Sequence, residues 1–504
     1  MVRLQKSVER ILLVSPHYTA PRGYKIDLTP PLGIAYVAAV LEEKGYDVRV
    51  LDVAAEGFRN RHPIDGGYVR VGLSYEEIEK KISEFSPDVV GVSCLLSSQF
   101  PDMCGICRLA KERCKVPITV VGGEHPSALP EESLSRDYID FVVIGEGEYT
   151  MRDLMQRVSD GDGFSQIGGL GYKTEGRIVV NEKSSFIEDL DELPLPARHL
   201  LPMQTYFDTN IPQSGTSLRS PNTPMMTSRG CPGRCVFCAT ARFWGNRQRT
   251  RSVQKVLDEM EHLIERYGVR EVQFIDDNLT LERGRAIELF DGMVDRRLDL
   301  AWNTPQGIAI WGLDEEVLEK MKRSGCYEIT LGIESGDPDV LKNIIKKPIS
   351  MDRIEQIVKA ARKLGLITKG YFVVGLPGET KEQMQKTFDF AKRLRLDAAG
   401  IFIATPLPGT ELYRICKEKG YLKEGFSFEK IIYARGNIET PDFTSREVER
   451  LVSRNILTLN LGLLLRNPFR FFKKYSRILR TNPRSLIGYV IFLLAECLRR
   501  RDRA

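Results

Sequence analysis

Cysteine is scarce in this chain, which has only 10 among its 504 residues. So few cysteines exclude a disulfide-stapled secreted scaffold. The opening stretch MVRLQKSVERILLVSP contains an apolar run of only four residues, from Ile11 to Val14, which is too short for the core of a signal peptide. We therefore expect a cytoplasmic protein, in which clustered cysteines indicate metal or redox chemistry rather than disulfides.

An even spread of positive charge is also missing, although the formal net charge is +5. Between residues 466 and 504, eleven lysines and arginines stand against two acids, a local charge of +9 that leaves −4 for all other residues. Nucleic-acid-binding proteins carry their basic residues across a binding face. We therefore expect no nucleic-acid partner, and instead a local interaction at the C-terminal end.

Short apolar runs alternate with amphipathic helical patterns over the first 160 residues, in a chain long enough for two or three domains. Continuous apolar strands separated by helices indicate a parallel sheet that is covered on both faces. Five runs predict an α/β domain of flavodoxin-like (Rossmann-type) architecture over residues 1–160. These runs are RILLVSP, DVRVLDV, DVVGVSCLL, PITVVGGE and IDFVVIGEGE.

Small residues follow several of these strands, at the carboxyl ends where this fold binds ligands. SCLLSS follows the third strand, GGEHPS the fourth and GEGE the fifth. Each is typical of a tight turn. Together they resemble the cobalamin-binding domain, whose pattern has Ser-x-Leu after strand three and Gly-Gly after strand four. The resemblance implies a cobalamin site lined by Ser93, Ser97, Gly122, Gly123 and Gly145.

One part of that family's pattern is absent around His17. Members that ligate cobalt with a histidine carry Asp-x-His-x-x-Gly after strand one, whereas this chain has SPHYTAPRG. We therefore expect His17 to be a loop residue rather than a cobalt ligand, and the lower axial ligand stays unassigned.

The stretch TSRGCPGRCVFCAT holds Cys231, Cys235 and Cys238 in the spacing C-x3-C-x2-C. Pro232 and Gly233 favour a loop over a continuous helix. Structural zinc takes four ligands, and the downstream cysteines are single and distant. Iron–sulfur clusters are held by cysteine thiolates, and three thiolates leave one iron of a four-iron cluster open to a substrate or cofactor.

This loop resembles the signature of the radical S-adenosylmethionine (SAM) superfamily, in which an aromatic residue, here Phe237, precedes the last cysteine. The resemblance implies a [4Fe-4S] cluster whose open iron is chelated by SAM. It also implies reductive cleavage of SAM to a 5′-deoxyadenosyl radical, with the protein positioning and shielding that chemistry. An external electron donor of flavodoxin or ferredoxin type is expected.

Strand-like and helical patterns alternate again over residues 221–425, which predicts a partial β/α (TIM-like) barrel. Active sites of β/α barrels lie at the carboxyl ends of the strands. Polar residues and glycines cluster there, although each is also typical of a turn or a helix N-cap. The resemblance implies SAM contacts from Phe237, Asp276, Asp277, Asn278, Gly332, Glu334, Ser335, Gly375 and Glu379.

The remaining segments are assigned by composition. Proline-rich and turn-rich stretches predict a linker at 161–220, and 426–504 is expected to be helical and basic. Beyond Leu465, apolar runs mix with arginines, which is typical of a helix in the membrane interface, here at the inner face, or of a hairpin packed on the barrel. The longest run, ten residues from Leu486, is too short to span a bilayer.

Three further cysteines, in DMCGICRLAKERC, lie on the predicted helix between strands three and four. Cys104 and Cys107 share a helical face, whereas Cys114 lies about two turns away. We expect small buried hydrophobic side chains rather than a second metal site.

Together the two modules resemble the cobalamin-dependent radical SAM enzymes, many of which are methyltransferases. The resemblance implies that one SAM methylates cobalt and that a second yields the radical by which the substrate carbon takes the methyl group. An unactivated C–H carbon is not a nucleophile, so a radical route is needed. We expect methylation of a hydrophobic substrate, such as a lipid, isoprenoid or tetrapyrrole. Ring formation, oxidation or C–C coupling, and a non-catalytic cluster-binding protein, stay open.

Overall fold

The computed structural model describes residues 7–22, 28–64, 67–160, 163–183, 185–210, 212–213, 217–431, 435–466 and 476. The described residues form two compact units. The first is built mainly from the chain up to Thr209, and the second mainly from Asn210 onward.

The first unit contains ten strands and eight α-helices among its described residues. The strands are β1 (Arg10–Ser15), β2 (Tyr18–Pro21), β3 (Asp47–Asp52), β4 (Arg61–Ile64), β5 (Tyr68–Val71), β6 (Val89–Ser93), β7 (Ile118–Gly122), β8 (Phe141–Val143), β9 (Leu170–Thr174) and β10 (Arg177–Val180). The helices are α1 (Leu32–Glu43), α2 (Val53–Glu56), α3 (Tyr75–Phe85), α4 (Phe100–Glu112), α5 (Glu124–Ala128), α6 (Pro130–Leu134), α7 (Glu148–Asp160) and α8 (Met203–Thr209).

The main sheet of this unit has the order β3-β1-β6-β7-β8-β9-β10. Its first five strands are parallel, and β9 and β10 add an antiparallel hairpin at the edge. The parallel part has the strand order of a flavodoxin-like fold, which confirms the predicted class. A small antiparallel sheet, β2-β5-β4, was not foreseen.

Alternate side chains of β1 enter two different cores, which explains its unbroken apolar sequence. Leu12 and Val14 pack in the core beneath α3 and α4, whereas Ile11 and Leu13 pack in the core beneath α1 and α7. A strand buried on both faces has no position for a polar residue.

The second unit contains eight strands and eight α-helices among its described residues. The strands are β11 (Asn222–Met225), β12 (Ser228–Arg229), β13 (Arg249–Thr250), β14 (Glu271–Phe274), β15 (Ala301–Ile308), β16 (Cys326–Glu334), β17 (Ile367–Val374) and β18 (Ala398–Ile403). The α-helices are α9 (Thr240–Trp244), α10 (Val253–Tyr267), α11 (Arg283–Asp295), α12 (Glu315–Arg323), α13 (Met351–Lys363), α14 (Lys381–Arg393), α15 (Glu411–Glu418) and α16 (Ser445–Arg466), with a π-helix at Val340–Ile345.

Six strands form a parallel sheet in the order β11-β14-β15-β16-β17-β18. Helices alternate with these strands along the chain, as the predicted partial β/α barrel requires. The helix-covered face is apolar: Trp302 of β15 stacks on Phe290 of α11, with ring centroids 5.1 Å apart. This face anchors the strands, so their carboxyl ends and their other face are left for a site.

Residues predicted as a linker carry regular structure. The hairpin β9–β10 extends the first sheet, and α8 belongs to the first unit through the hydrogen bond from Tyr206 to Asp52, 2.6 Å long. No helix in the described part of the chain is long and apolar enough to cross a bilayer. The basic segment that follows α16 lies outside the described residues, apart from Ser476.

Cys104 and Cys107 are buried in the apolar core of the first unit, and Cys114 lies at the edge of that core. This confirms the expectation of small buried hydrophobic side chains for Cys104 and Cys107, whereas Cys114 is only half-buried.

Candidate functional site

The loop that carries Cys231, Cys235 and Cys238 is held at its ends and in its middle. The two-stranded ladder of β12 and β13 closes its start. In the middle, Val236 N–H donates to Ile345 O at 3.1 Å, and Leu412 N–H donates to Val236 O at 2.8 Å. The Val236 side chain is buried in the apolar core of the barrel. The loop is therefore fixed before any ligand binds.

As whole residues, Cys231 and Cys235 are half-buried and Cys238 is exposed, although burial also raises the pKa of the Cys238 thiol. Gly233 N–H donates to Cys231 Sγ at 3.4 Å, and a side chain at Gly233 would come within 3.3 Å of that sulfur. Burial raises the pKa of Cys231, and it raises the pKa of Cys235 to about 12. Metal binding must therefore displace protons from these thiols.

The donor set fits an iron–sulfur cluster. Cysteine sulfur is the usual ligand of such clusters, and the three sulfurs sit on one loop whose backbone is already positioned. In the described part of the chain, no three His, Cys, Asp or Glu side chains come close enough together to hold a single metal ion. This also applies to the three cysteines of the loop.

Two carboxylates that follow β14 brace this loop. Asp276 is buried and accepts hydrogen bonds from Thr227 Oγ1 at 2.7 Å and from Ser228 Oγ at 2.6 Å, at the start of the loop. Asp277 accepts from Thr240 Oγ1 at 3.0 Å, at the end of the loop. Burial raises the pKa of both carboxyls. Their contacts support a positioning role.

Asn278, the third residue of this group, is different. Its Oδ1 accepts from Ala309 N–H at 3.3 Å, while its buried Nδ2 has no hydrogen-bond partner among the described residues. A buried donor without a partner costs free energy unless a ligand or water satisfies it. Asn278 is therefore the residue after β14 best suited to contact a ligand.

The end of β16 is distorted at Glu334, whose φ is +70° and next to which the pairing register with β17 shifts. Lys347 Nζ donates to Glu334 Oε1 and to Gly332 O, both at 2.8 Å. A side chain at Gly332 would lie 2.7 Å from this ammonium and 2.8 Å from Glu334 Oε1, so alanine there would displace the pair. Strained backbone of this kind clusters at functional sites.

Lys347 was missed by sequence reasoning. It is buried, and burial would lower its pKa, but Glu334 and then Cys235 raise the pKa above its usual value. The π-helix and Lys346, with φ +66°, bring it to this position. A π-helix near a site is a recurrent functional sign, although the letters KNIIKKP do not reveal it.

The remaining SAM candidates differ in how many of their polar atoms are already bonded within the chain. Ser335 is buried, lies 3.0 Å (Oγ to Oγ1) from Thr387 of α14, and accepts from Asp337 N–H. Glu379 Oε2 accepts from Gly375 N–H at 2.7 Å, and its Oε1 has no partner among the described residues. Burial raises the pKa of Glu379 to about 8. Phe237 packs against the barrel core.

The cobalamin candidates meet at one edge of the first sheet. Ser93 and Gly122 are paired in register on β6 and β7. Gly123 has φ +104°, and a side chain there would come within 2.5 Å of Cys94 O. Ser127 Oγ links the next two strand ends, since it donates to Gly123 O at 2.7 Å and accepts from Gly145 N–H at 2.9 Å. Ser97 begins a short 3₁₀ turn after β6.

This edge fits a large ligand. It is built from small residues, and Leu95, in the Ser-x-Leu segment, is 56% exposed although it is apolar. An exposed apolar side chain beside a glycine-lined strand edge is typical of a ligand site.

The side chain of His17 contacts other parts of the first unit. Its ring is buried, and Nε2–H donates to Leu73 O at 2.7 Å, while Nδ1 lies 3.9 Å from Asp102 Oδ1. Burial lowers the pKa of His17 despite this acid. His17 lies between β1 and β2, which agrees with the expectation that it is a loop residue.

Each of the two units matches the model of a known protein family. The family model of the radical SAM superfamily matches residues 225–391, and that of the B12 binding domain matches residues 27–155. Cytidylyl-2-hydroxyethylphosphonate methyltransferase of Streptomyces wedmorensis is 36% identical over 476 residues, which cover 88% of this chain and 89% of that protein. An anaerobic magnesium-protoporphyrin IX monomethyl ester cyclase of Rubrivivax gelatinosus is 27% identical, covering 84% of this chain and 72% of that protein.

A solved structure also shares the fold. The radical SAM methyltransferase TsrM of Kitasatospora setae, with cobalamin and a [4Fe-4S] cluster bound, superposes with a TM-score of 0.64 at 21% identity. The match covers 82% of this chain and 75% of that chain.

Proposed function

The chain belongs to the family of cobalamin-dependent radical SAM enzymes, and on that premise we propose that it methylates an unactivated carbon of a small-molecule substrate. The observation that carries the proposal is the braced three-cysteine loop beside the buried pair of Lys347 and Glu334. The methyltransferase of Streptomyces wedmorensis, similar over nearly the whole chain, supports the reaction type.

The cofactors would be held by residues of this chain. We assign the [4Fe-4S] cluster to Cys231, Cys235 and Cys238; SAM to a shell of Asn278, Gly332, Glu334, Gly375 and Glu379; and cobalamin to Ser93, Ser97, Gly122, Gly123 and Gly145. When bound, these cofactors supply one-electron chemistry and the methyl group that an unactivated carbon cannot obtain by polar transfer.

The protein's own contribution is positioning and electrostatics. Asp276 and Asp277 hold the two ends of the cysteine loop, so the sulfurs keep one arrangement. The ammonium of Lys347 lowers the pKa of Cys235 and Cys231, in opposition to burial, and so favours the thiolates that ligate iron. We expect an external donor of flavodoxin or ferredoxin type to supply the electron that reduces the cluster.

The chemical class of the substrate is a further part of the proposal. The expected hydrophobic substrate rests on the C-terminal segment, which lies outside the described residues, and on the name of the cyclase from Rubrivivax gelatinosus. The same cyclase favours ring formation as the second candidate reaction. The relative from Streptomyces wedmorensis is instead named for a polar, cytidylylated phosphonate.

Anaerobic reconstitution with iron, sulfide, cobalamin, SAM and a reductant tests the proposal. Wild-type protein is expected to release 5′-deoxyadenosine, and Cys235→Ala is expected to release none because one iron ligand is lost. Cys114→Ala, at the edge of the first core, is the matched control and should behave as wild type. SAM cleavage that survives in Cys235→Ala would refute the cluster assignment. Methyl transfer from SAM to cobalamin then separates methylation from ring formation.

A further inference from the structure

Two aromatic side chains lie on the face of the barrel sheet opposite its helices. Tyr371 of β17 and Phe402 of β18 meet edge to face, with ring centroids 5.2 Å apart. On β17, Phe372 and Val374 are fully buried, and Val374 packs against side chains of α14. Because side chains alternate along a strand, Tyr371 faces the barrel interior. Phe402 is 37% exposed, although barrel interiors are normally filled by branched apolar side chains.

Glycines on three neighbouring strands lie next to Tyr371. Its register partners are Gly332 on β16 and Gly400 on β18. A side chain at Gly400 would come within 3.0 Å of the ring, and one at Gly307 of β15 within 3.7 Å. The hydroxyl donates to Pro305 O at 2.9 Å, which fixes the far end of the ring. The Tyr371 ring is therefore held in one orientation, and part of its flat face is exposed towards the barrel interior.

Polar groups stand next to this surface. The ammonium of Lys369 lies 5.0 Å from the centroid of the Tyr371 ring. Thr330, paired in register with Lys369, is fully buried, and its Oγ1 has no hydrogen-bond partner among the described residues. The same alternation that places Lys369 and Tyr371 on the interior face places Thr330 there too. A buried hydroxyl without a partner, aimed at this interior, requires a ligand or water.

We propose that Tyr371, Phe402, Lys369 and Thr330 form the substrate site, and that it takes a flat, acceptor-rich ring bearing an anionic group, of which a pyrimidine nucleotide is the simplest example. The ring stacks on Tyr371 against the edge of Phe402. The anionic group is attracted to Lys369, and a ring acceptor bonds to Thr330. This assignment rests on the proposed function, because it places the substrate on the interior face of the barrel whose strand ends hold SAM.

Anaerobic isothermal titration calorimetry of the full chain, loaded with cluster and cobalamin, tests the site with cytidine 5′-monophosphate as the probe. Wild type is expected to bind it, and Tyr371→Leu to bind about 5- to 150-fold more weakly, the range typical of loss of one base–aromatic stack. Tyr371→Phe keeps the ring and should stay close to wild type. Phe402→Ala should weaken binding in the same direction as Tyr371→Leu.

Controls separate the ring from the charge and from folding. Ribose 5-phosphate, which is anionic but has no base, should bind far more weakly than the nucleotide. Tyr413→Leu removes a similar aromatic contact, with Phe428, on α15, and should leave nucleotide affinity unchanged. Equal affinity in wild type and Tyr371→Leu, or tighter binding of the isoprenoid alcohol phytol than of the nucleotide, would overturn the proposal. Release of 5′-deoxyadenosine without the probe is measured separately, so the proposed function and this site can fail independently.

Discussion

At the scale of single residues, the pair of Lys347 and Glu334 shows how a charge can be kept inside the barrel. Both side chains are about nine-tenths buried, and their closest N···O distance is 2.8 Å. Burying either charge alone would be costly, whereas the pair compensates itself. The same ammonium faces the thiols of Cys235 and Cys231, so the pair lies next to the proposed cluster site.

Lys347→Met is expected to lower the free energy of unfolding of the barrel by about 3 to 5 kcal/mol, because Glu334 would be left buried without its partner. Anaerobic chemical denaturation followed by circular dichroism measures the change. The double variant Lys347→Met with Glu334→Gln should recover most of the loss, since no lone charge remains. A single variant as stable as wild type would show that water solvates Glu334.

Glu379 predicts a pH dependence. Burial raises its pKa from a usual value near 4.5 to about 8, so the folded state holds a proton that the unfolded state releases between these values. The contribution of this bound proton to the free energy of unfolding is therefore fully present below pH 4.5. It is lost as pH rises towards 8, by about 1.4 kcal/mol per pH unit at most. Glu379→Gln keeps the acceptor oxygen without the titration.

Thermal melting of wild type and Glu379→Gln between pH 5 and about 9 measures this effect. The melting temperature of wild type is expected to fall relative to that of the variant as pH rises. Parallel curves would mean that the carboxyl is ionised throughout, with a cation or water next to Oε1.

At the scale of elements, side-chain hydrogen bonds connect the segments that follow different strands. In the barrel, Asp276 connects the end of β14 to the start of the cysteine loop. In the first unit, Ser127 connects the segments after β7 and β8. Such cross-strand bonds keep a ligand site in shape while no ligand is bound, which lowers the ordering cost of binding.

Gly123→Ala is expected to disrupt the edge after β7 and to abolish retention of cobalamin. Its φ of +104° is unfavourable for alanine, and the new methyl group would lie 2.5 Å from Cys94 O. Gly176→Ala, in the β9–β10 turn, also has positive φ but has open space around it, and should cost only about 1 kcal/mol. The absorbance of bound cobalamin after gel filtration measures the difference. If Gly123→Ala retained cobalamin, the cobalamin site would not lie at the edge after β7.

At the scale of the whole molecule, charge is segregated along the chain. The segment from residue 466 to the end carries +9, whereas the rest carries −4. A basic segment with apolar runs is attracted to anionic lipid surfaces. The described residues end at α16 and Ser476, so this segment stays a sequence-based prediction.

Flotation with liposomes tests the prediction. The full chain is expected to float with vesicles that contain anionic lipid, and a chain truncated after Leu465 is expected to stay at the bottom, because it lacks the basic and apolar segment. High salt should weaken the binding of the full chain. Equal behaviour of the two chains would exclude an interfacial role for this segment.

The sequence by itself determined the fold class of both units, and it predicted the ligands of the cluster. Strand and helix periodicity is a local property, and so is the spacing of Cys231, Cys235 and Cys238, so both can be read along the chain. The flavodoxin-like strand order and the parallel barrel sheet follow from the same alternation of apolar strands and helices.

Only the tertiary structure decided what the individual side chains do. Asp276 contacts residues 48 and 49 positions away, Tyr371 crosses to a carbonyl 66 positions away, and Lys347 reaches Glu334 only through a π-helix. Such pairings depend on register and on the path of a short irregular segment, neither of which leaves a periodic signal in the sequence. The physical reason is that a hydrogen bond or a stacked ring is set by distances of a few ångströms between residues that are remote along the chain.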